Sequence, residues 1–368
     1  MEKAYKYRIY PNKTQENLIQ KTFGCSRFVY NYYLNKRIEL YKNEQKLMNY
    51  NTCSKDLTTL KQELEWLREV DKDALQKSLK DLDVAYKNFF VQHNGFPKFK
   101  SKKDRHKSYR TSCTNNNVKY LDKHIQLPKL GKVKITDKMT PQGRILNATI
   151  SQEPDGKYYC SLCCTDVELE QFLKTNNKVG IDLGIVDFAV YSDETRITNP
   201  RFFEQSEKKL ARLQRDMSRK TIGSSNWNKA RIKVARLQKH IAKQRRDFLQ
   251  KLTTDIVRNY DIICLEDLSS SEMMQNKQKT NALTRTRNKH IGDVSWYEFR
   301  RELEYKCKWY GKELRFVDKY YPSTQICHVC NTQDGKKDET IRMWTCKHCG
   351  TLLDRDLNAA INILNNAV

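Results

Sequence analysis

Ser323-Thr324-Gln325-Ile326-Cys327-His328-Val329-Cys330, fifteen further residues, then Cys346-Lys347-His348-Cys349-Gly350 and Leu353-Asp354-Arg355-Asp356-Leu357-Asn358-Ala359-Ala360 form the stretch from which the rest of the chain is read. The four thiols fall in a C-x2-C-x15-C-x2-C pattern. That spacing suits one tetrahedral zinc ion, two sulfurs from each knuckle, with no open position left for catalysis. Each knuckle needs a tight turn after its second cysteine. Gly350 supplies the permissive backbone in one, and Asn331 is the next-best residue for a left-handed conformation in the other. Cys327, Cys330, Cys346 and Cys349 are therefore expected to hold a single structural Zn²⁺.

Behind the second knuckle, Asp354 can cap a helix whose expected apolar stripe is Leu357, Ala360, Ile361 and Leu364. Asp356 then lies in the first turn. Both acids could simply answer the helix dipole. Partners further up the chain give them another use.

The chain has 368 residues and 69 Lys+Arg against 44 Asp+Glu, a formal charge of +25, with 20 tyrosines. This length can bury more than one core. So large a cationic excess favours a polyanion partner, and the aromatic rings offer faces for unpaired bases. No apolar run approaches the length of a bilayer span, and Met1-Glu2-Lys3-Ala4-Tyr5 lacks the apolar core of a signal peptide. A cytoplasmic setting follows, near the nucleoid for a nucleic-acid partner. There, cysteines outside the ribbon are expected to be reduced. Cys160-Ser161-Leu162-Cys163-Cys164 reads as strand packing.

Tyr5–Tyr10 alternates as a strand closed by Pro11. Asn12 with Gln15 marks a helix start and Gly24 a stop, so that a second helix from Ser26 would form a helical hairpin or helix-turn-helix. Leucines from Leu57 to Leu82, followed by Tyr86 and Phe90, continue the helical region to about residue 93. Lys98, Lys100, Lys102, Lys103, Arg105 and Arg110, interleaved with Phe96, Phe99 and Tyr109, read as a basic loop suited to phosphates and a stacked base. Short strands follow at Val118–Leu121, His124–Leu127, Lys132–Ile135, Arg144–Ser151 and Lys157–Cys164, a small barrel that the first strand could complete.

Beyond polar Glu170–Lys178, the run from Lys178 to Val190 reads as two buried strands around a glycine bend. Two helices follow, marked by Leu210, Leu213 and Met217 and then by Val234, Leu237, Ile241, Phe248, Leu252 and Ile256. Their other faces are basic, with Arg215, Arg219 and Lys220 among the candidate nucleic-acid contacts. Tyr260–Leu268 is a strand ending in acids, Ser269–Arg287 a polar segment expected to be mobile, Trp296–Tyr310 a helix and Glu313–Asp318 a strand.

Three acids now occupy comparable places: Asp182 in a buried strand, Glu266 at the end of another, Asp356 at a helix start. Burying an unpaired carboxylate is costly, so Asp182 and Glu266 want a counter-charge. A hard cation would supply it. Three carboxylates from distant segments can hold two Mg²⁺ ions about 4 Å apart, one activating water and one neutralising the leaving oxygen of a phosphodiester. Singly, Asp182 could cap the glycine bend and Glu266 could pair with an arginine. Jointly, hairpin, strand and late helix in this order describe an RNase-H-like nuclease core.

Gly180-Ile181-Asp182-Leu183-Gly184, Leu265-Glu266-Asp267-Leu268 and Asp354-Arg355-Asp356-Leu357-Asn358-Ala359-Ala360, with a zinc ribbon before the last, resemble the TnpB family of transposon-encoded RNA-guided nucleases. The opening Tyr7-Arg8-Ile9-Tyr10-Pro11 and the stretch from Leu213 to Trp227 resemble it too, so the likeness covers nearly the whole chain. It implies an α+β multidomain protein. A wedge β-barrel would comprise 1–11 and 95–170, a helical recognition domain 12–94, a RuvC-like nuclease domain 178–322 and 351–368, and a zinc-ribbon insert 323–350. It implies that Asp182, Glu266 and Asp356 are the catalytic, Mg²⁺-binding acids, with Asp354 as cap or support. It further implies a guide RNA from the transposon end and cleavage of double-stranded target DNA beside a short motif, by a monomer in the RNA complex. The contrasting expectation is a guide-independent nucleic-acid-binding regulator or accessory protein of transposition. The departures are Asn331, where a second knuckle glycine is usual, and Leu353, where a histidine is common.

Overall fold

The computed structural model describes residues 1–137, 139–267, 282–338 and 340–367, the side chains of 282–287 excepted. The chain divides into two compact units, Met1–Glu168 and Leu169–Val368.

In the first unit, strand β1 (Lys3–Tyr10) leads into helix α1 (Lys13–Glu44). The expected start is present as a reciprocal cap: Asn12 Oδ1 accepts from Gln15 N at 2.9 Å, and Asn12 N donates to Gln15 Oε1 at 3.0 Å. The expected stop is not. Gly24 lies inside one 32-residue helix, so neither a helical hairpin nor a helix-turn-helix forms there. A glycine in a helix interior costs only about 1 kcal/mol. The buried stripe running through it, Ile19, Phe23, Val29, Tyr30, Tyr33 and Leu34, outweighs that. The helix ends instead at Gln45, in the left-handed conformation. Helices α2 (Tyr50–Glu63) and α3 (Lys72–Gln92), with a short 3₁₀ turn at Glu65–Arg68, pack Leu57, Leu67, Leu75, Leu79 and Leu82 against α1.

The same unit holds an antiparallel sheet of seven strands. They are β1, β2 (Lys107–Ser112), β3 (Lys119–Leu121), β4 (His124–Leu127), β5 (Gly131–Ile135), β6 (Arg144–Gln152) and β7 (Tyr158–Thr165), in the order β2-β6-β7-β1-β5-β4-β3. β1 sits mid-sheet, pairing with β7 and β5. Among the described residues no ladder joins β2 to β3, so the pairing does not close on itself as a complete barrel would. Strand β2 lies in what reads from sequence as a basic loop, since it carries Lys107 and Arg110 and follows a run of lysines. Tyr109 and Thr111 are its buried side, so it is a one-sided strand in which half the residues are free to be polar. Tyr158, Cys160, Leu162 and Cys164 are all buried, as strand packing requires.

The second unit is built on a mixed five-stranded sheet of β8 (Lys178–Leu183), β9 (Asp187–Tyr191), β10 (Arg196–Thr198), β11 (Ile262–Glu266) and β12 (Glu313–Val317), ordered β10-β9-β8-β11-β12. β8, β9 and β10 form antiparallel ladders, while β8, β11 and β12 run parallel. Helices α4 (Phe202–Ser218), α5 (Ser225–Asn259), α6 (Ala282–Val294) and α7 (Trp296–Tyr310) follow the hairpin and the parallel strand. Val179, Ile181, Phe188, Ile263 and Leu265 from the sheet meet Leu249, Ile256, Phe299 and Leu303 from α5 and α7 in one core. Of the segment expected to be mobile, 269–281 lies outside the described residues, as does 268 at the end of the expected strand, and the remainder opens α6.

A short hairpin, β13 (Met343–Thr345) with β14 (Leu352–Asp354), leads directly into helix α8 (Arg355–Ala367). The buried face of α8 is not the stripe expected. It comprises Asn358, Ala359, Ala360, Asn362 and Ile363, while Leu357, Ile361 and Leu364 are half-buried. Small residues bring the helix close to the sheet. A β-carbon on Gly180 would collide with the Ala360 carbonyl oxygen and lie 2.7 Å from Leu364 N and 2.9 Å from Leu364 Cβ. Gly180 is therefore a contact glycine, allowing β8 and α8 to pack backbone to backbone.

Candidate active site and metal centre

The four cysteines converge. Their sulfurs all lie within 4.8 Å of one another, with Cys327 to Cys349 and Cys330 to Cys346 at 3.7 Å each. A zinc ion with sulfurs at about 2.3 Å in a tetrahedron spaces them by about 3.8 Å, so the thiols fit that ion. The two knuckles have matching backbones. Asn331 N donates to Cys327 O at 2.8 Å and Gly350 N to Cys346 O at 2.9 Å, while Cys327 N and Cys346 N donate to Thr332 O and Thr351 O. Asn331 at φ 56° and Gly350 at φ 71° make the left-handed turns. Asparagine does the glycine's work in the first knuckle. Leu353, with Trp344, packs into the small core beneath the thiols.

Asp182, Glu266 and Asp356 are brought to one place by β8, β11 and α8. In the β8–β11 ladder Ile181 stands opposite Leu265, so Asp182 and Glu266 are the next residues on adjacent parallel strands, sharing a face. Neighbouring strands are about 4.8 Å apart. On α8, Asp356 lies one turn before Ala360, the residue against Gly180, and Gly180 in turn lies two residues before Asp182 on the same face of β8. The electrostatics agree. Burial raises the Asp182 carboxyl well above the usual carboxylate range, and the charges of Glu266 and Asp356 raise it further, opposed by Arg355 and Arg342. Burial also raises Glu266, opposed by a hydrogen bond from Ser323. The three carboxylates are not drawn as close as the thiols, which form the group whose ligand atoms all fall within 4.8 Å among the described residues.

Asp354 is the cap: its Oδ1 accepts from Asp356 N at 3.1 Å and Leu357 N at 2.9 Å. Its other oxygen meets Arg196 at 2.9 Å, and Arg196 also reaches Asp187 at 3.4 Å. Among the described residues no arginine pairs with Glu266; Ser323 Oγ donates to its Oε1. Asp356 does pair, with Arg342, at 3.1 and 2.8 Å. Sequence reasoning missed Ser323, Arg342 and Arg196, which carry no local spacing signal. It also passed over Asn358 and Asn362, two amides one turn apart and flanked by Ala359, Ala360, Ile361 and Ile363, which was a usable sign of a buried polar contact.

The basic candidates are distributed. Lys98, Lys102, Lys103 and Arg105 are exposed in the segment before β2. Lys100 is anchored through its backbone to Asn31 and lays its ammonium 4.1 Å from the Tyr30 ring centroid, while Arg110 pairs with Asp81 at 3.0 Å. Arg215 and Arg219 are exposed at the end of α4, but Lys220 is drawn back to Asp216 one turn earlier.

Comparison with known proteins agrees along the chain. A family described as "Probable transposase" matches residues 161–277, "Cas12f1-like, TNB domain" matches 296–363, and "Helix-turn-helix domain" matches 1–46, which here is β1 and the single helix α1. A Streptomyces pristinaespiralis protein named "Putative RNA-guided DNA endonuclease" is 37% identical over 369 residues, covering 99% of this chain and 89% of its own. "Putative RNA-guided DNA endonuclease InsQ" of Escherichia coli (strain K12) is 34% identical over 370 residues, covering 98% and 91%. The structure titled "Cryo-EM structure of the Cas12f1-sgRNA-target DNA complex" aligns over 99% of both chains at 15% identity with a TM-score of 0.38. "TnpB-like protein L79" of Acanthamoeba polyphaga mimivirus is 23% identical across 98% of this chain. With relatives this similar along almost its whole length, the chain belongs to the TnpB family.

Proposed function

We propose that the chain is a transposon-encoded RNA-guided endonuclease that hydrolyses DNA phosphodiesters at Asp182, Glu266 and Asp356, in a RuvC-like domain. The observation that carries it is electrostatic: on β8 the Asp182 carboxyl is raised by burial and by the charges of Glu266 from β11 and Asp356 from α8, and burial raises Glu266 as well. Like charges are gathered this way where a cation is to be held. The order of the sheet, a hairpin of antiparallel strands followed by parallel β11 and β12, supports an RNase-H-like core. Divalent magnesium bound to these acids would activate water and neutralise the leaving oxygen. The chain's own part is to hold Asp182 and Glu266 on rigid adjacent strands and Asp356 on a capped helix, so that little reorganisation accompanies binding.

The first unit's sheet and helices serve in this reading as wedge and recognition parts, and Lys98, Lys100, Lys102, Lys103, Arg105 and Arg110 contact nucleic-acid backbone together with Arg215 and Arg219. Base pairing by a guide RNA would read sequence while the protein reads shape and a short adjacent motif. The complex is taken to contain one protein chain and to work at the nucleoid.

The test is cleavage by the purified protein–RNA complex of duplex DNA matching its RNA. Cutting should require Mg²⁺ and should vanish in Asp182→Ala while target binding persists. DNA binding that does not depend on a match to the RNA, with no cutting under any divalent cation, would leave a guide-independent transposition regulator instead.

A further inference from the structure

The zinc ribbon does more than sit beside the carboxylates. Asn358 and Asn362 of α8 are 1% and 2% exposed, and both reach into the loop that opens the ribbon. Asn358 Nδ2 donates to Ile326 O at 2.7 Å and Ser323 O at 3.4 Å, and its Oδ1 accepts from His328 N at 3.0 Å. Asn362 Nδ2 donates to Ser323 O at 2.8 Å and Ile326 O at 2.7 Å. One end of this loop is the zinc ligand Cys327, which is fully buried. The other is Ser323, 3% exposed, whose hydroxyl donates to Glu266. The span from thiolate to carboxylate is five residues of backbone, held at Ser323 and Ile326 by two buried amides.

We propose that Ser323 is the positioning residue for Glu266, and that zinc occupancy, acting through the 323–328 loop, sets how tightly the carboxylate site binds its divalent cation. This rests on the reading of Glu266 as a ligand. The physical reason is the freedom of a glutamate side chain, which must be given up when it binds. A hydroxyl on Oε1 fixes that rotamer in advance and leaves Oε2 for a cation, as outer-shell hydrogen bonds to ligating carboxylates do. Ser323 can act so only while its own backbone is held. The amides hold it from α8, and Cys327 holds it from the zinc side. When zinc leaves, four thiols lose their common tie and the loop keeps only one of its two anchors.

The experiment uses the full chain with Mn²⁺ as probe, its affinity read by electron paramagnetic resonance, with Asp182→Asn to subtract binding elsewhere. Ser323→Ala should weaken Mn²⁺ binding about tenfold, within the range for lost outer-shell partners, with zinc content and thermal midpoint unchanged. Ser323→Thr, which keeps the hydroxyl, should restore it. Removing zinc by chelation should weaken Mn²⁺ binding in the unsubstituted chain but add little in Ser323→Ala, because both changes act through one contact. Wild-type affinity in Ser323→Ala, or equal losses on chelation in both backgrounds, would overturn the proposal. If the unsubstituted chain binds Mn²⁺ no better than Asp182→Asn, it is the reading of the acids that fails.

Discussion

Arg342 grips both carboxylate oxygens of Asp356 through a single guanidinium nitrogen, at 3.1 and 2.8 Å. The arginine comes from the zinc-ribbon lobe and the aspartate from the first turn of α8. A divalent cation approaching Asp356 must therefore displace or share with a cation already there. The arginine side chain is 46% exposed, so the pair is screened and easily exchanged.

Arg342→Ala is accordingly expected to raise the affinity of the acidic site for Mg²⁺. An ion pair this exposed is worth about 0.2–1 kcal/mol, which converts to a gain of roughly five-fold at most. Calorimetric titration of the full chain with Mg²⁺ measures it. A loss of affinity would mean that Arg342 supports the site rather than competing for it.

Gly180 is the residue where a single methyl group should do most harm. Its β-carbon would strike backbone atoms of Ala360 and Leu364, which cannot rotate away as a flexible side-chain end could. Gly180→Ala should force α8 off β8 and cost about 3 kcal/mol or more, at the upper end of overpacking penalties. Because Asp356 rides on α8, Mg²⁺ binding should fall with stability. Urea unfolding is the measurement, and a midpoint within error of the parent would show that α8 can shift freely.

The same position shows what the sequence could and could not tell. Gly180-Ile181-Asp182 was legible as a buried strand carrying an acid because apolar strands rarely keep an unpaired carboxylate. That its glycine serves a helix 180 residues away was not legible, since close packing is a property of two backbones. The cysteine spacing contained its own geometry, and Asp354 as cap followed from local chemistry. Gly24 misled because a helix interior tolerates glycine when the stripe around it is buried. Ser323 and Arg342 were invisible for the reason Gly180's partner was: each acts across the fold on a residue distant in sequence.

Cys346→Ser should release zinc and loosen the C-terminal helix. Metal affinity at such sites is folding free energy, of the order of 10 kcal/mol for small zinc domains. In this chain part of it is spent on the ribbon core of Cys327, Trp344, Cys346 and Leu353, whose last member begins the approach to α8. Zinc content by mass spectrometry and protease sensitivity near residue 350 are the readouts. Full zinc retention with unchanged protection would remove the ribbon from the description.

A final prediction concerns a charge the proposed chemistry does not use. Lys306 on α7 is 4% exposed and donates to Gln250 O, Thr253 Oγ1 and Thr254 Oγ1 at 2.7, 2.7 and 2.8 Å, while Thr253 Oγ1 donates at 3.0 Å to Glu302, which is fully buried. Burial pushes the Lys306 ammonium down to about 8, with Glu302 pulling the other way. In the unfolded chain the group titrates near its ordinary value of about 10.4. Below pH 8 both states carry the proton and the folded state bears the full penalty. Between the two values the unfolded chain holds a proton that the folded chain has released, so this group makes stability rise with pH, by at most about 1.4 kcal/mol per unit. Lys306→Met abolishes the rise and removes the donor to Gln250 O, Thr253 Oγ1 and Thr254 Oγ1, a loss of about 1–3 kcal/mol for the buried acceptors left unpaired. Urea midpoints of both proteins at pH 8, 9 and 10 provide the comparison, since the other titrating groups cancel in the difference. Two parallel curves would show that Lys306 keeps an ordinary pKa and that the buried network carries no charge penalty.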